Sequence, residues 1–535
     1  MSISVKNLDH LGLVAGIIDE MKLVELIDHH LGVHPQQKVS PGQALKAMIL
    51  NGLGFLSAPL YLYAEFFQGK ATEHLLGEGI EPEQLNDDLL GRTLDKIFKF
   101  GVSRLFSLIA MAAFETFALN PKSYHLDSSS FALEGKDYSS ESVEGEPEVV
   151  HITHGYSRDH RPDLKQFMVD IVCSSDGGVP LAFNLSDGNQ SDQQVHGQRI
   201  QAFQEQWQME GLYVADAALY SEANLQKLAG LKWLTRVPLT LTSAQQWVSH
   251  FPQQDLQATS IDAYRYTQMC SFYGGINQRW VMFESSQQRQ SDLKTLETKI
   301  ERAQKLTQKA LKQLSKQEFN CREDALKQAQ KLAKSWQYTT LANLEIVEKK
   351  HYPKAGRPKP GADPARLSYH VSGQVVQKTE AITLARNKAG RFILATSVLE
   401  TQDASAQELL ETYKEQQYPE RGWRFLKDPL FFTSRVFLKS TQRIMALMMV
   451  MTLTLMVYTL AERKLRAALK DEQQTLPNQR KQPTQNPTMR WIFQCFQAIH
   501  WLSVDAQVQV TNLRDLHLKV LRLLGPPCQK YYLLS

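Results

Sequence analysis

Three carboxylates and one polar helix face are the groups in this chain whose types and spacing suit chemistry. Asp127 lies in Tyr124–Leu133 (YHLDSSSFAL), where strand alternation puts it on the face shared by His125 and Ser129. Asp216 ends the run Leu-Tyr-Val-Ala-Asp just before a helical stretch. That is the carboxyl end of a strand, where open α/β sheets place their ligand sites. Glu420 lies within Tyr413–Lys427 (YKEQQYPERGWRFLK). At 3.6 residues per turn, spacings of three, four and seven set Tyr413, Gln416, Glu420 and Lys427 in a stripe about 60° wide. Three such carboxylates can hold two Mg²⁺ or Mn²⁺ ions about 3.5–4 Å apart, one activating a nucleophile and one stabilising a leaving oxygen. Lys427 and Tyr413 would then hold phosphates beside a scissile bond.

The elements that must position these groups follow from periodicity. Residues 1–118 read as helices joined by short turns: Leu11–Leu31, Pro41–Leu56, Leu60–Phe67 and Asn86–Phe98 carry apolar residues at helical spacing. Ser40-Pro41-Gly42-Gln43 has the form of a capped helix start. Such a module suits DNA-end recognition or dimerisation. From Tyr124 the pattern changes to short strands, Tyr124–Leu133, Gln166–Cys173 and Val179–Leu185, the last two joined by a Ser-Ser-Asp-Gly-Gly turn. A helix at Gln193–Trp207, a strand at Leu212–Asp216, a helix at Ser221–Leu228 and a strand at Trp233–Val237 follow. Three meandering strands and then alternating helix and strand is the order of a ribonuclease-H-like mixed α/β sheet. The expected organisation is a helical N-terminal domain (1–118), a first part of the catalytic core (119–242), a β-rich and helical insertion (243–382), a last part of the core (383–430) and a helical C-terminal region (431–535). Within the insertion, Gln290–Trp336 reads as an exposed antiparallel helix pair.

Composition narrows the classes. A 535-residue chain with 43% hydrophobic and 22% charged residues is an ordinary folded protein of several substructures. The net charge of +4 does not by itself indicate nucleic acid, but Lys299–Lys334, Lys349–Arg366 and Arg463–Arg490 are locally basic. Five dispersed cysteines without a CxxC pair indicate neither a zinc site nor a disulfide framework and fit a reducing cytoplasm. Ile444–Ala461 is uncharged over about the length that spans a bilayer, and it is expected to be a buried helix in a soluble protein.

The Tyr413–Lys427 stripe resembles the Tyr–Arg–Glu–Lys signature of DDE transposases from bacterial insertion sequences, the group with an insertion in the catalytic domain. The run His154–Gln166 (HGYSRDHRPDLKQ), the run Gly188–Asp192 (GNQSD) and the Asp216 strand are similar to that group as well. Each carboxylate alone has an ordinary explanation; in this order they match the family triad. The resemblance implies Asp127, Asp216 and Glu420 as catalytic metal ligands and a cytoplasmic, nucleoid-associated bacterial enzyme. It would act as a homodimer on double-stranded DNA, cutting terminal inverted repeats and joining them to target DNA. A ribonuclease-H-like endonuclease without strand transfer, and a DNA-binding regulator with a decayed site, are the alternatives.

Two departures from the signature carry expectations of their own. Gln416 stands where the signature has arginine and cannot make a charged bidentate contact. Arg424 on the same face, with Arg421 nearby, is expected to supply that charge. Pro419 precedes Glu420 and is expected to kink the helix. Arg161 and Lys165 are further DNA-contact candidates. Gly356-Arg357-Pro358 reads as a basic loop, with A·T-rich minor-groove contact as the sharper alternative. Trp247, Trp280 and Trp336 read as core residues, any one of which could instead stack a flipped base.

Overall fold

The protein is described from a computed structural model covering residues 3–55, 62–134, 138, 144–157, 161–352, 363–428, 440–505 and 507–534. Gly356-Arg357-Pro358 and Arg158–His160 lie outside the described residues. The chain forms two compact units: Met1–Thr235 with Tyr273–Ile276 and Leu410–Ser535, and Arg236–Phe272 with Asn277–Leu409.

In the first unit, β1 (Ser123–Leu133), β2 (Lys165–Ser174) and β3 (Pro180–Ser186) form an antiparallel meander. Gly177 and Gly178, at φ +85° and +68°, make the turn between β2 and β3, a backbone region that costs glycine little. β4 (Leu212–Ala215) pairs in parallel with β1, and β5 (Trp233–Arg236) pairs in parallel with β4. The order β3-β2-β1-β4-β5 is that of a ribonuclease-H-like sheet. β1 and β2 are buried along nearly their whole length, as expected of strands covered on both faces.

The helix Thr441–Asp471 forms the centre of this unit. It packs against Pro41–Gly52, Asp87–Phe100, Val102–Thr116, Asp515–Leu524 and β3. Its length and composition would suit a membrane span, but 83% of its most apolar stretch is buried inside the protein. The Thr452 and Thr454 hydroxyls donate to the carbonyls of Met448 and Val450, both at 2.9 Å. These bonds let polar side chains sit in an apolar core without an unsatisfied group.

The N-terminal helices form largely as their sequence signals indicate. The Gln43 amide donates to Ser40 Oγ at 3.1 Å and the Ser40 amide to Gln43 Oε1 at 2.9 Å, a complete capping box. The stretch Leu11–Leu31 is two helices, Leu11–Glu20 and Leu23–Leu31, broken where Lys22 takes φ +53°. The terminal regions are not wholly helical. Ile3–Asn7 pairs antiparallel with His500–Val504, which pairs with Gln507–Thr511. Strands of five residues whose partner lies almost the whole chain away leave little local periodicity to read.

In the second unit, Ile276–Ser285 pairs antiparallel with Arg391–Thr396. The polar stretch Gln290–Trp336 is two helices, Ser286–Leu314 and Arg322–Lys334. They pack on a two-stranded ribbon of Thr339–His351 and Arg366–Gln377, with Leu314, Ala325, Ala329 and Val371 at the contact. Trp280 and Trp336 are buried and Trp247 half-buried, so Trp280 and Trp336 are core residues.

The glycine-bearing runs His154–Gln166 and Gly188–Asp192 meet at the start of β2. The Gly188 amide donates to the His151 carbonyl at 3.0 Å, and Gln166 Nε2 donates to the carbonyls of Gly188 and Tyr156 at 2.8 and 3.1 Å. A Cβ on Gly188 would lie 1.9 Å from the Gln166 carbonyl oxygen, a backbone atom that cannot swing away. We expect Gly188→Ala to cost about 1–3 kcal/mol, read as a lowered urea midpoint. An unchanged midpoint would contradict this packing.

Candidate active site

Parallel pairing of β1 and β4 creates the site. Ser123, Tyr124 and His125 oppose Leu212, Tyr213 and Val214. That pairing runs to His125 and Val214, and Asp127 and Asp216 each follow two residues further along their chains. The Asp127 Oδ1 accepts from the Ser128 amide at 2.9 Å, and the Asp216 Oδ1 from the Ala218 amide at 2.9 Å. Asp216 also caps the short 3₁₀ turn Ala217–Leu219. The two roles considered for it, cap and carboxylate at a strand end, therefore coexist. Its side chain remains 43% exposed.

A buried network joins the two strands behind these carboxylates. Ser128 Oγ donates to Asp170 Oδ1 at 2.5 Å. With its proton so engaged, the Ser128 oxygen accepts from His196 Nε2 at 3.0 Å, which leaves His196 Nδ1 facing Asp216 Oδ1 at 3.7 Å. Arg199 Nε pairs with the other Asp170 oxygen at 3.1 Å, and Asp170 is 2% exposed. Asp170 is thus committed to Arg199 and Ser128 and serves as a brace. Neither His196 nor Arg199 stood out in the sequence, because helical spacing carries no mark of which strand a helix will cover.

The helix bearing Glu420 differs from expectation. Ala406–Lys414 and Gln417–Leu426 are separate helices with a turn at Glu415–Gln416. Tyr413 and Gln416 therefore do not share one continuous face with Glu420 and Lys427. Pro419 lies in the first turn of the second helix, where an amide proton has no intrahelical partner in any case. The Glu415 carbonyl accepts instead from the Tyr418 amide at 2.8 Å. The break thus falls before the proline, not at it.

Gln416 requires a correction. It is 7% exposed; its Nε2 donates to the Leu126 carbonyl at 2.8 Å, and its Oε1 lies 3.2 Å from His125 Nδ1. Its amide is spent on β1 beside Asp127 and is not presented to a ligand. His125 is completed by Ser123 Oγ at 2.9 Å and Glu415 Oε2 at 3.5 Å. The turn between the helices is bolted to β1 next to the candidate carboxylate.

Helix Gln417–Leu426 buries Pro419, Gly422, Trp423 and Leu426 and exposes Glu420, Arg421 and Arg424. Trp423 Nε1 donates to Asp127 Oδ2 at 3.0 Å. Lys427 Nζ lies 5.2 Å from the centre of the Phe131 ring, and Trp423 meets the same ring edge-on at 6.0 Å. Among the described residues, no three His, Cys, Asp or Glu side chains are gathered into a metal-binding group. Glu420 is exposed on this helix and is not gathered with Asp127 and Asp216 into such a group; Trp423, three residues on, bonds Asp127 instead. On the exposed side of this helix a cavity of about 610 Å³ is lined by Arg421, Arg424, Arg466 and Arg490. Arg466 is tied to Glu462 at 2.6 Å and Arg490 to Asp428 at 3.0 Å. Arg161 is exposed and paired with Asp163 at 2.8 Å, and Lys165 begins β2. Burial, and then the Asp127 charge, push the Cys173 thiol up, so it is no nucleophile.

A model of a domain of unknown function (DUF4277) matches residues 3–111. Among solved structures, a likeness covers 93% of this chain and 82% of a piggyBac transposase, in a synaptic complex with hairpin DNA, at 9% identity and a TM-score of 0.39. No curated protein matches. The model of the transposase DDE domain matches residues 125–457, which is more than half of the chain and contains Asp127, Asp216 and Glu420. The chain belongs to the transposase DDE domain family.

Proposed function

We propose that this chain cuts the ends of an insertion sequence and joins them to target DNA. The observation that carries the proposal is the parallel pairing of β1 with β4, which brings the strands that lead to Asp127 and Asp216 next to each other. Carboxylates drawn together repel each other unless a cation lies between them. An all-carboxylate oxygen set suits Mg²⁺ or Mn²⁺. Asp127, Asp216 and Glu420 would hold two such ions, which activate the attacking oxygen and stabilise the leaving one. Glu420, exposed on the helix that carries Trp423, would have to approach the two aspartates to complete such a set.

In the first step a water oxygen forms a bond to phosphorus, the P–O3′ bond breaks, and the 3′ oxygen leaves as a hydroxyl. In the second step that hydroxyl attacks a target phosphorus and releases a target 3′-OH. The protein's part is positioning. His196 and Ser128 hold the two strands in register, and the Gln416 amide fixes β1. Lys427, Arg421 and Arg424 lie on the helix that carries Glu420 and would take phosphates beside the cut, with Tyr413 at the end of the preceding helix. Lys165 and, once released from Asp163, Arg161 would extend that contact. Assembly as a homodimer on the two ends, in a bacterial cytoplasm and on the nucleoid, completes the proposal.

Incubation with a duplex bearing the element's own terminal repeats, target DNA and Mg²⁺ should give strand-transfer product. Cleavage alone would favour an endonuclease, and binding without cleavage a regulator. Asp127→Asn, Asp216→Asn and Glu420→Gln should each lower cleavage by about a thousandfold or more, since each removes several kcal/mol of transition-state stabilisation. Binding of end DNA should persist. A variant that still cleaves at near wild-type rate would remove its residue from the triad.

The two departures from the family signature should separate in their effects. Gln416→Ala should lower stability by about 1–3 kcal/mol, because it strips a buried partner from His125 and the Leu126 carbonyl. Arg424→Ala should leave stability unchanged and reduce the slope of log affinity against log salt by about 0.9, one phosphate contact. Equal thermal stability of the two variants, with the loss of slope on Gln416→Ala, would reverse the assignment.

A further inference from the structure

The helix Ser286–Leu314 carries a charge pattern on its far side that the catalytic centre does not use. Arg302, Lys305, Lys309, Lys312 and Lys316 recur at alternating spacings of three and four, the last just past the helix end, and all five are exposed. On a helical wheel they fill a sector about 80° wide. Leu296, Ile300, Leu311 and Leu314, which pack into the unit, lie on the opposite side, about 170° away. The apolar face therefore fixes the direction in which the cations point. At 1.5 Å per residue the row is about 21 Å long.

A merely solvated helix face alternates its charges with acids at i,i+4. Here Glu301 stands four residues before Lys305, but no acidic residue follows it until Glu318, and Glu318 is engaged by Arg366 at 2.8 Å and His351 at 3.8 Å. On the neighbouring helix Lys327, Lys331 and Lys334 are also exposed. The composition of the row selects its partner. A protein interface has an apolar or aromatic centre, and a single-strand track interleaves aromatic rings for base stacking. Arg302–Lys316 contains no aromatic residue and no glycine or proline. It offers only a straight, regular line of charge. Duplex DNA presents about one phosphate per 1.7 Å of axis, so a 21 Å row faces roughly a dozen of them.

We propose that this row in the second unit binds the phosphate backbone of duplex DNA without regard to sequence, as a contact separate from the catalytic carboxylates. The proposal rests on the reading of the chain as a DNA-acting transposase and adds a second DNA surface to it. The row makes affinity, and not the chemical step, its responsibility.

The test compares the full-length protein with a variant in which Arg302, Lys305, Lys309, Lys312 and Lys316 are all replaced by glutamine, which keeps helix propensity close to that of lysine. A control variant replaces Lys22, Lys122, Lys227 and Lys232, exposed lysines elsewhere, by glutamine. The probe is a linear duplex of unrelated sequence, titrated across salt concentration. The row variant should lose about 3–4 from the magnitude of the salt slope, at about 0.9 per phosphate contact. It should also bind at least about tenfold more weakly at moderate salt, while its cleavage rate at saturating end DNA stays as in wild type. An unchanged slope overturns the proposal, and so does an equal loss in the control, which would mark a net-charge effect. If wild type itself neither binds duplex nor cleaves ends, the transposase reading fails as well; if it does both while the row variant matches it, only the row fails.

Discussion

The parallel register between β1 and β4 is the constraint on which the rest of the site depends. It brings the strands that lead to Asp127 and Asp216 next to each other. The surroundings are visible: the Ser128 and Ala218 amides donate to the two carboxylates. Behind them the chain Arg199–Asp170–Ser128–His196 ties β1 and β2 to the following helix.

The helical parts of the first unit serve this sheet. Thr441–Asp471 supplies a long apolar surface against β3 and the N-terminal helices, and it lines the side of Gly422 on which a Cβ would lie 2.9 Å from Leu455. Glycine at that point lets helix Gln417–Leu426 approach closely, which brings Trp423 to Asp127. Pairing of Ile3–Asn7 with His500–Val504 closes the two ends of the chain on each other. The same unit thus contains its own termini and the three candidate carboxylates.

Much of this was legible in the sequence, for reasons that can be named. The meander and the two parallel strands are short apolar runs bounded by turn residues, so their existence and order could be read, and with them the positions of Asp127 and Asp216. The Ser40 cap is a local motif and forms as such. What could not be read depends on distant partners. Gln416 looks like a polar residue on a helix face, and only the approach of His125 and the Leu126 carbonyl shows it to be internal. The break at Glu415–Gln416 overrides the ideal 3.6-residue stripe because those two residues bond to β1. His196 and Asp170 acquire meaning only when strand β2 and helix Asp192–Trp207 are brought against β1. Strand Ile3–Asn7 pairs with His500–Val504 across nearly the whole chain, beyond any local pattern.

The most direct test of the central claim is Mn²⁺ binding to the protein–end-DNA complex, followed by electron paramagnetic resonance in wild type and in Asp216→Asn. If the paired carboxylates of β1 and β4 form the cation site, wild type should bind Mn²⁺ and the variant should lose at least one bound ion, while both retain the DNA. Equal Mn²⁺ stoichiometry and affinity in the two proteins would contradict the assignment of this strand pair as the metal site.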